Sequence, residues 1–186
     1  MITLASFRPE YFDNNGDQSN LSVLSSHLIA LGAEVTISTE CLGADFLLIG
    51  DSSIAAHTHF ETELLTLLPE LQRRLAGGEP TLLVGRSWEF FAPLLGFSMK
   101  HGERSSKFVK VNISGHEVIG YHNSTVLEPR FSITGAFVGT TLFGPLLAKN
   151  PSVLKTVVSA LGLVLSGEYF EESERLANLV RESTTF

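Results

Sequence analysis

Short apolar runs alternate with helical patterns through the first half of the chain, and this order constrains the fold more than any other feature. Four runs have the length and composition of β-strands, and they cover residues 2–7, 35–38, 46–49 and 81–84. Residues 46–49 are apolar at every position, which is typical of a parallel strand buried on both faces. Strands separated by helical patterns predict an α/β fold, with a mostly parallel sheet and crossover helices on both faces.

Two leucine patterns predict the crossover helices. The first has helical spacing, is followed by Gly32 as a stop signal, and consists of Leu21, Leu24, Leu28 and Leu31. The second ends before Gly77 and Gly78, and Pro69 is placed to kink or split its helix. That second pattern consists of Leu64, Leu65, Leu68, Leu71 and Leu75.

The pattern changes after residue 107. Short, partly antiparallel strands separated by glycines are predicted at residues 108–111, 118–121 and 137–142, and helices at residues 151–165 and 170–180. The 186 residues, 44% of them hydrophobic, are enough for one core, and no linker or repeat interrupts them. We therefore expect a single domain over residues 1–186.

Charge and cysteine content exclude several kinds of protein. Thirteen Lys and Arg residues stand against twenty Asp and Glu residues, and the net charge of −7 disfavours a nucleic-acid partner. A single cysteine, Cys41, excludes an internal disulfide and a multi-cysteine zinc site, and it fits a reducing cytoplasm. No signal-peptide pattern opens the sequence, and no apolar run approaches about eighteen residues. We therefore expect a cytoplasmic protein that does not enter a membrane.

Polar loops follow three of the predicted strands. In an open parallel sheet, ligands bind outside the carboxyl ends of the strands. Residues 13–20, 50–53 and 85–89 lie at these ends, and they are rich in glycine and small polar side chains. Such loops let a ligand approach the backbone closely, and the helices that follow offer N–H groups to an anion or an oxyanion.

Three segments carry a resemblance to a known family. Residues 16–20 read GDQSN and are similar to an early GDxGN motif, and residues 118–123 read VIGYHN and resemble a VGFEN stretch. Residues 139–151 read GTTLFGPLLAKNP, which is similar to GTYLHGPLLxxNP and is the most specific match. The chain thus resembles class I glutamine amidotransferase-like domains of the cobyric acid synthase type, above all the glutaminase subunit of lipid II isoglutaminyl synthase. This resemblance spans roughly residues 1–165 and implies a flavodoxin-like, three-layer α/β fold.

The chain departs from this family where the family's chemistry lies. A CGGYQ elbow carries the family's nucleophilic cysteine, and Gly85 stands at that position here. The family's histidine base belongs to the segment YLHGP, where this chain has Phe143. A glutaminase needs a thiolate and a base, and neither glycine nor phenylalanine supplies one. The resemblance therefore implies a glutamine amidotransferase-like protein without glutaminase activity, and we expect a crevice made more apolar and partly plugged by Phe143 beside Gly85.

The candidate ligand-binding residues lie in the strand-end loops and on the following segments. They are Gly50, Asp51, Ser52, Gly85, Arg86, Ser87, Glu89, Tyr121 and Asn123. The family resemblance implies a binding or regulatory subunit, working beside an ATP-dependent, amide-forming ligase or synthetase. Two alternatives stay open: an active hydrolase or transferase with a site relocated to the region of Ser87, and a sensor of a small molecule. No cofactor and no metal is expected.

Other reactive side chains receive structural interpretations. Cys41 is predicted to be a buried or inert thiol, and Ser87 to cap a helix or lie in its first turn. His57, His59 and Glu61 form one weak metal-ligand pattern that is more typical of a solvated face. Surface or hydrogen-bonded positions are predicted for His101, His116 and His122, and core positions for the aromatic residues Trp88, Phe90, Phe91 and Phe97.

Overall fold

Six strands form the central sheet of the computed structural model, which describes residues 1–184. They are β1 (Ile2–Ser6), β2 (Val35–Ser38), β3 (Phe46–Ile49), β4 (Thr81–Val84), β7 (Phe131–Thr134) and β8 (Phe137–Thr140). Their order is β2-β1-β3-β4-β8-β7, and all neighbours are parallel except β7 and β8. Every residue of β3 and β4 is buried, as the continuous apolar run in β3 predicted.

Within the described residues, seven helices accompany this sheet. They are α1 (Ser19–Ala30), α2 (Ile54–Thr66), α3 (Leu68–Gly77), α4 (Arg86–Leu94), α5 (Leu146–Lys149), α6 (Pro151–Ala160) and α7 (Glu168–Ser183). Alternate side chains of β3 enter two separate cores, with Leu48 in the core of α1 and α6 and Leu47 in the core of α2, α3 and α4. The sheet is therefore covered on both faces, which completes a three-layer arrangement.

Three further strands, β5 (Lys100–Ile113), β6 (His116–Glu128) and β9 (Leu142–Phe143), form a small antiparallel sheet. One face of the β5–β6 hairpin enters the core through Val109 and Val118. The other face is exposed, and it carries the edge-to-face ring pair of Phe108 and Tyr121, with centroids 5.3 Å apart. The hairpin is longer than the predicted short strands because its first half is polar and solvent-facing, so no apolar alternation marks it in the sequence.

Several predicted helix bounds differ from the structure. The leucine pattern at 64–75 is divided between α2 and α3, because Pro69 lies at the start of a new helix. Helix α6 ends at Ala160, before the predicted residue 165, and Gly162 follows with φ 79°. Helix α7 exceeds the predicted 170–180 at both ends. Within residues 1–184, no helix has the length and apolar character that crossing a membrane requires.

Candidate functional site

A polar crevice of about 550 Å³ lies where the carboxyl ends of β3 and β4 meet the β5–β6 hairpin. Its lining consists of Asn14, Asn15, Asp51, Ser52, Ser53, Ile54, Arg86, Glu89, Arg104, Asn123, Ser124, Thr125 and Phe143. Only Ile54 and Phe143 in this lining are apolar. The prediction of a more apolar crevice is therefore wrong, because the loops after β1 and β3 and one end of the hairpin supply polar side chains around a single buried phenylalanine.

Gly85 forms a sharp turn between β4 and α4, with φ 58° and ψ −123°. Residues with a side chain rarely adopt this conformation, and elbows that present a nucleophile store strain in such a strand-to-helix turn. A Cβ atom at Gly85 would overlap the Asp51 carboxylate and lie 2.7 Å from a ring carbon of Phe143. The elbow shape is present, but the space that a nucleophilic side chain would need is filled. Phe143 lies beside Gly85, as predicted.

The carboxylate of Asp51, from the loop after β3, lies at the N-terminal end of α4. Its Oδ1 accepts a hydrogen bond from the Arg86 backbone N–H at 2.8 Å, and its Oδ2 accepts one from Asn15 Nδ2 at 2.9 Å. In hydrolases with a nucleophile elbow, the N–H of the residue after the nucleophile stabilises the oxyanion of the reaction. Here that N–H is already bonded to a carboxylate of the same chain. Acyl transfer through this elbow would therefore lack both its nucleophile and a free oxyanion donor.

Asp17 lies fully buried beneath the crevice and supports Asp51 from below. Its Oδ2 accepts a hydrogen bond from the Asp51 backbone N–H at 2.8 Å, whereas its Oδ1 has no partner among the described residues. Burial raises the pKa of Asp17 to about 7, and the charges of Asp51 and Asp13 act in the same direction. Nearby, Lys149 Nζ donates to the Phe143 carbonyl at 3.0 Å, and burial lowers the pKa of this lysine.

Three further predicted site residues have different roles around this centre. Ser87 is fully buried in the first turn of α4, and its hydroxyl donates to the Gly50 carbonyl at 2.7 Å. This bond gives Ser87 the predicted first-turn role. Glu89 accepts from Ser124 Oγ at 2.6 Å and lines the crevice. Tyr121 lies outside the lining, where its hydroxyl is 2.6 Å from Ser106 Oγ.

The structure thus brings Asp51, Ser52, Arg86, Glu89 and Asn123 together in one crevice, with Gly50, Gly85 and Ser87 behind it. The sequence analysis missed further lining residues. They are Asn14, Asn15, Ser53, Ile54, Arg104, Ser124 and Thr125. The two asparagines belong to a loop that was recognised as a strand end. The polar run around Arg104 gave no signal, because only strand pairing places it opposite the loops.

Two polar atoms of the crevice are buried without a partner among the described residues. Ser52 is 3% exposed, and its Oγ has no hydrogen-bond partner in the described chain. Arg86 Nε is likewise buried and unpaired. Buried polar groups are normally hydrogen-bonded, so unpaired ones at a crevice indicate a place for water or a ligand.

The residues of the weak metal-ligand pattern on α2 differ in their exposure to solvent. His59 and Glu61 are exposed, as predicted, whereas His57 is 8% exposed and packs against the rings of Phe12 and Phe90. The solvated-face prediction is therefore wrong for His57, because the other core-facing residues of α2 bring this position against the α4 aromatics. Burial and the charge of Arg86 lower its pKa. Within residues 1–184, no group of three or more His, Cys, Asp and Glu side chains is placed to hold a metal.

The remaining structural interpretations hold for Cys41, His101, His122 and the core aromatic residues. His116 is half-buried, and its Nδ1 has no hydrogen-bond partner among the described residues, so a hydrogen-bonded role is not confirmed for it. Cys41 is buried, and burial raises the pKa of its thiol to about 11. His122 is fully buried, with Nδ1 3.2 Å from Thr141 Oγ1, and His101 is exposed with Nδ1 3.3 Å from Thr125 Oγ1. Trp88 and Phe91 are fully buried core residues.

Comparisons with known proteins concern the fold. No protein-family model and no curated protein matches the sequence. A glutamine amidotransferase from Thermotoga maritima is similar in structure, with 14% identity, a TM-score of 0.50, and coverage of 97% of this chain and 94% of that one. A Thermoplasma acidophilum protein, provisionally described as a GMP synthase subunit, has 18% identity, a TM-score of 0.46, and coverage of 87% and 93%. The predicted fold class is confirmed: the chain has a glutamine amidotransferase-like, flavodoxin-like α/β fold.

Proposed function

We propose that this chain is a glutamine amidotransferase-like protein that binds a ligand or a partner without hydrolysing glutamine. One observation carries the proposal: at the elbow, the place of a nucleophilic side chain is taken by the Asp51 carboxylate, which also accepts from the Arg86 N–H at 2.8 Å. The family resemblance in residues 16–20, 118–123 and 139–151 supplies the scaffold for this proposal. We also propose that the chain is a single domain and lies in the cytoplasm, as the sequence led us to expect.

The loss of chemistry extends beyond one residue. Gly85 offers no thiolate, and Phe143 offers no proton acceptor where the family has its base. A cysteine at position 85 would meet both the Asp51 carboxylate and the Phe143 ring, so a single reversion would not rebuild the site. When nucleophile and base are both absent, glutamine hydrolysis loses orders of magnitude in rate.

A relocated hydrolytic site at Ser87 finds little support in the geometry. The Ser87 side chain is fully buried and lies outside the crevice lining, and its hydroxyl already donates to the Gly50 carbonyl. A nucleophile must instead reach its substrate with a base within hydrogen-bond distance. Ser87 is better explained as a link between α4 and the loop after β3.

A coupled assay for ammonia release from glutamine tests the proposal directly. We expect no release above the uncatalysed background from the purified chain, from Gly85→Cys or from Ser87→Ala. Gly85→Cys serves as the control for the steric argument, because it restores a thiol without restoring space. Ammonia release by the native chain that disappears in Ser87→Ala would replace this proposal with the relocated hydrolase.

The proposed partner is an amide-forming, ATP-dependent ligase or synthetase, and exposed aromatic side chains support a docking role. Of the aromatic candidates, Phe91 and Phe143 are buried and Phe90 is half-buried, whereas Tyr121 is 37% exposed beside Phe108 at 39%. Interfaces centre on such aromatic anchors. Affinity capture from the native host tests this part: recovery of a ligase with the native chain, but not with Tyr121→Ser, supports it. Recovery of the chain alone, with a monomer mass by light scattering, contradicts it.

A small-molecule sensor is the second candidate function, and the crevice favours it. Its volume of about 550 Å³ falls in the range of small-molecule sites, and it contains buried polar atoms without partners. Ligand and partner binding are compatible, since a regulatory subunit can report a bound metabolite to the enzyme it accompanies.

A further inference from the structure

We infer that the crevice binds a phosphate group, free or as part of a small organic phosphate, between Arg86, Arg104 and the N-terminal turn of α2. This inference rests on the proposed function, because it names the ligand chemistry of the same non-hydrolytic crevice. Four features carry it: an arginine side chain without a partner, a second arginine on the hairpin, a buried serine hydroxyl, and the N-terminus of α2.

Arg86 is the first of these features. It begins α4 and lines the crevice, and its Nε is buried. Within the described residues its guanidinium makes neither a hydrogen bond nor an ion pair, although Asp51 and Glu89 line the same crevice. An arginine carries five N–H donors and no acceptor, so an unpaired one in a crevice is matched by an oxyanion.

The carboxylates of the crevice accept hydrogen bonds from other donors and none from the Arg86 side chain. Asp51 accepts from the Arg86 N–H and from Asn15 Nδ2, and Glu89 accepts from Ser124 Oγ at 2.6 Å. Arg86 Nε and the Ser52 hydroxyl therefore remain as unused donors. A ligand that supplies acceptors complements them.

Arg104 approaches from the hairpin on the other side of the crevice. Its Nε donates to Asn123 Oδ1 at 2.9 Å, which fixes the guanidinium at the crevice wall. Two guanidinium groups from separate elements suit a group with three terminal oxygens better than a carboxylate with two. This geometry favours phosphate over an amino-acid carboxylate.

The start of α2 supplies the remaining contacts. Ser52, Ser53 and Ile54 line the crevice, and the first turn of this 13-residue helix has no acidic side chain. Ser53 Oγ caps the helix by accepting from the Ala56 N–H at 3.1 Å, whereas the Ser52 hydroxyl is buried and unpaired. Helix N-termini attract phosphate groups through their N–H groups and their dipole.

Isothermal titration calorimetry of the full chain tests the inference with inorganic phosphate, ribose 5-phosphate, glutamine and acetate as probes. We expect saturable binding of a phosphate probe with a dissociation constant of about 1 mM or lower, and no binding of acetate. The tighter of the two phosphate probes identifies the source, as a free or an esterified phosphate. Arg86→Gln should weaken the binding about tenfold or more, since a hydrogen bond to a charged group contributes about 1.5–3 kcal/mol.

Lys155→Gln is the matched control. It removes the same charge from α6, where Lys155 pairs with Glu174 at 2.9 Å, and it should leave phosphate affinity unchanged. Since the Arg86 side chain has no hydrogen-bond partner in the described chain, Arg86→Gln should retain the native thermal unfolding midpoint. An unchanged midpoint would show that a loss of affinity reflects binding and not unfolding. Absence of phosphate binding, an unchanged affinity in Arg86→Gln, or binding of glutamine in place of phosphate would overturn the inference. Ammonia release would overturn the non-hydrolytic function without affecting this titration.

Discussion

Two neighbouring polar regions of this protein, joined by the hydrogen bond between Asp17 and Asp51, differ in how far their polar groups are hydrogen-bonded within the chain. The first, which we call the motif seam, consists of residues 16–20 packed against residues 146–150. The second is the crevice in front of Gly85. The buried asparagines of the seam are fully bonded within the chain, whereas Ser52 Oγ and Arg86 Nε in the crevice have no partner among the described residues. This difference separates a structural polar network from a binding site.

In the motif seam, two asparagines join all three segments that resemble the amidotransferase family. Asn20 Oδ1 accepts from the Leu147 N–H at 2.9 Å, across 127 positions of sequence. Asn150 accepts from the Ile119 N–H at 2.8 Å and donates to the carbonyls of Ile119 and Leu146, each at 2.9 Å. Both asparagines are fully buried. The three segments that carry the resemblance are therefore joined by one buried hydrogen-bond network in this chain.

The largest effect is expected in the seam, from Asn150→Ala. The change leaves the Ile119 N–H and two carbonyls buried without partners, so it should lower the free energy of unfolding by about 3–5 kcal/mol. Urea denaturation measures this loss. Asn112→Ala, at an exposed position of β5, is the control and should change stability by less than about 0.5 kcal/mol. Equal effects of the two changes would contradict the structural role of the seam.

The next effect is expected at Asp17, a residue of the motif seam that accepts a hydrogen bond from the Asp51 N–H of the crevice. Because its pKa is raised to about 7 in the folded chain, against 3.8 ordinarily, the folded state binds this proton more tightly than the unfolded state. The resulting stability is complete below pH 4 and is lost as the pH rises through 7. Between pH 5 and 8 the native chain should lose about 2–3 kcal/mol from this group.

Asp17→Asn should remove that part of the pH dependence while keeping an oxygen for the Asp51 N–H. Denaturation curves at pH 5 and pH 8 measure the slope in both proteins. The exposed Glu34→Gln variant, with the same loss of charge, should keep the native slope. A slope unchanged in Asp17→Asn would show that this carboxyl does not titrate between these pH values.

The smallest effect is expected in the crevice, from two neighbouring serines. Ser52→Ala removes a buried hydroxyl that has no partner, so it should leave stability unchanged or raise it by up to about 1 kcal/mol. Ser53→Ala removes the cap of α2 and should lower stability by about 1 kcal/mol. Thermal unfolding of both variants measures the contrast. A loss at Ser52 as large as that at Ser53 would show that its hydroxyl is bonded within the folded chain.

Sequence patterns predicted the parts of this fold that depend on neighbours along the chain. The apolar run at 46–49 became a strand buried on both faces, and the leucine spacing at 21–31 became the core face of α1. The predicted ends of helices were less accurate. Helix α6 was expected to reach residue 165 because leucines recur after Ala160, although the helix ends there. The absence of a thiol at Gly85 and of an imidazole at Phe143 also follows from the sequence, given the family resemblance.

Which residues line the candidate site depended on contacts between segments that are distant in sequence. The sequence placed Asp51, Arg86 and Asn123 at strand ends or beyond, but it could not indicate that the Asp51 carboxylate would take the Arg86 N–H. It gave no signal for Arg104, because that residue reaches the crevice only through the pairing of β5 with β6. The polar character of the crevice was missed for the same reason.

By itself, the sequence determined the α/β order, the buried strands, and the absence of a thiol at position 85 and of an imidazole at position 143, because these depend on residue type and local spacing. Tertiary structure alone decided which polar groups find partners. Asn20 and Leu147 are bonded although 127 positions apart, while Ser52 and Arg86 are left unpaired in the described chain. Hydrogen bonding is short-ranged and directional, so it is settled by three-dimensional packing that no local pattern encodes.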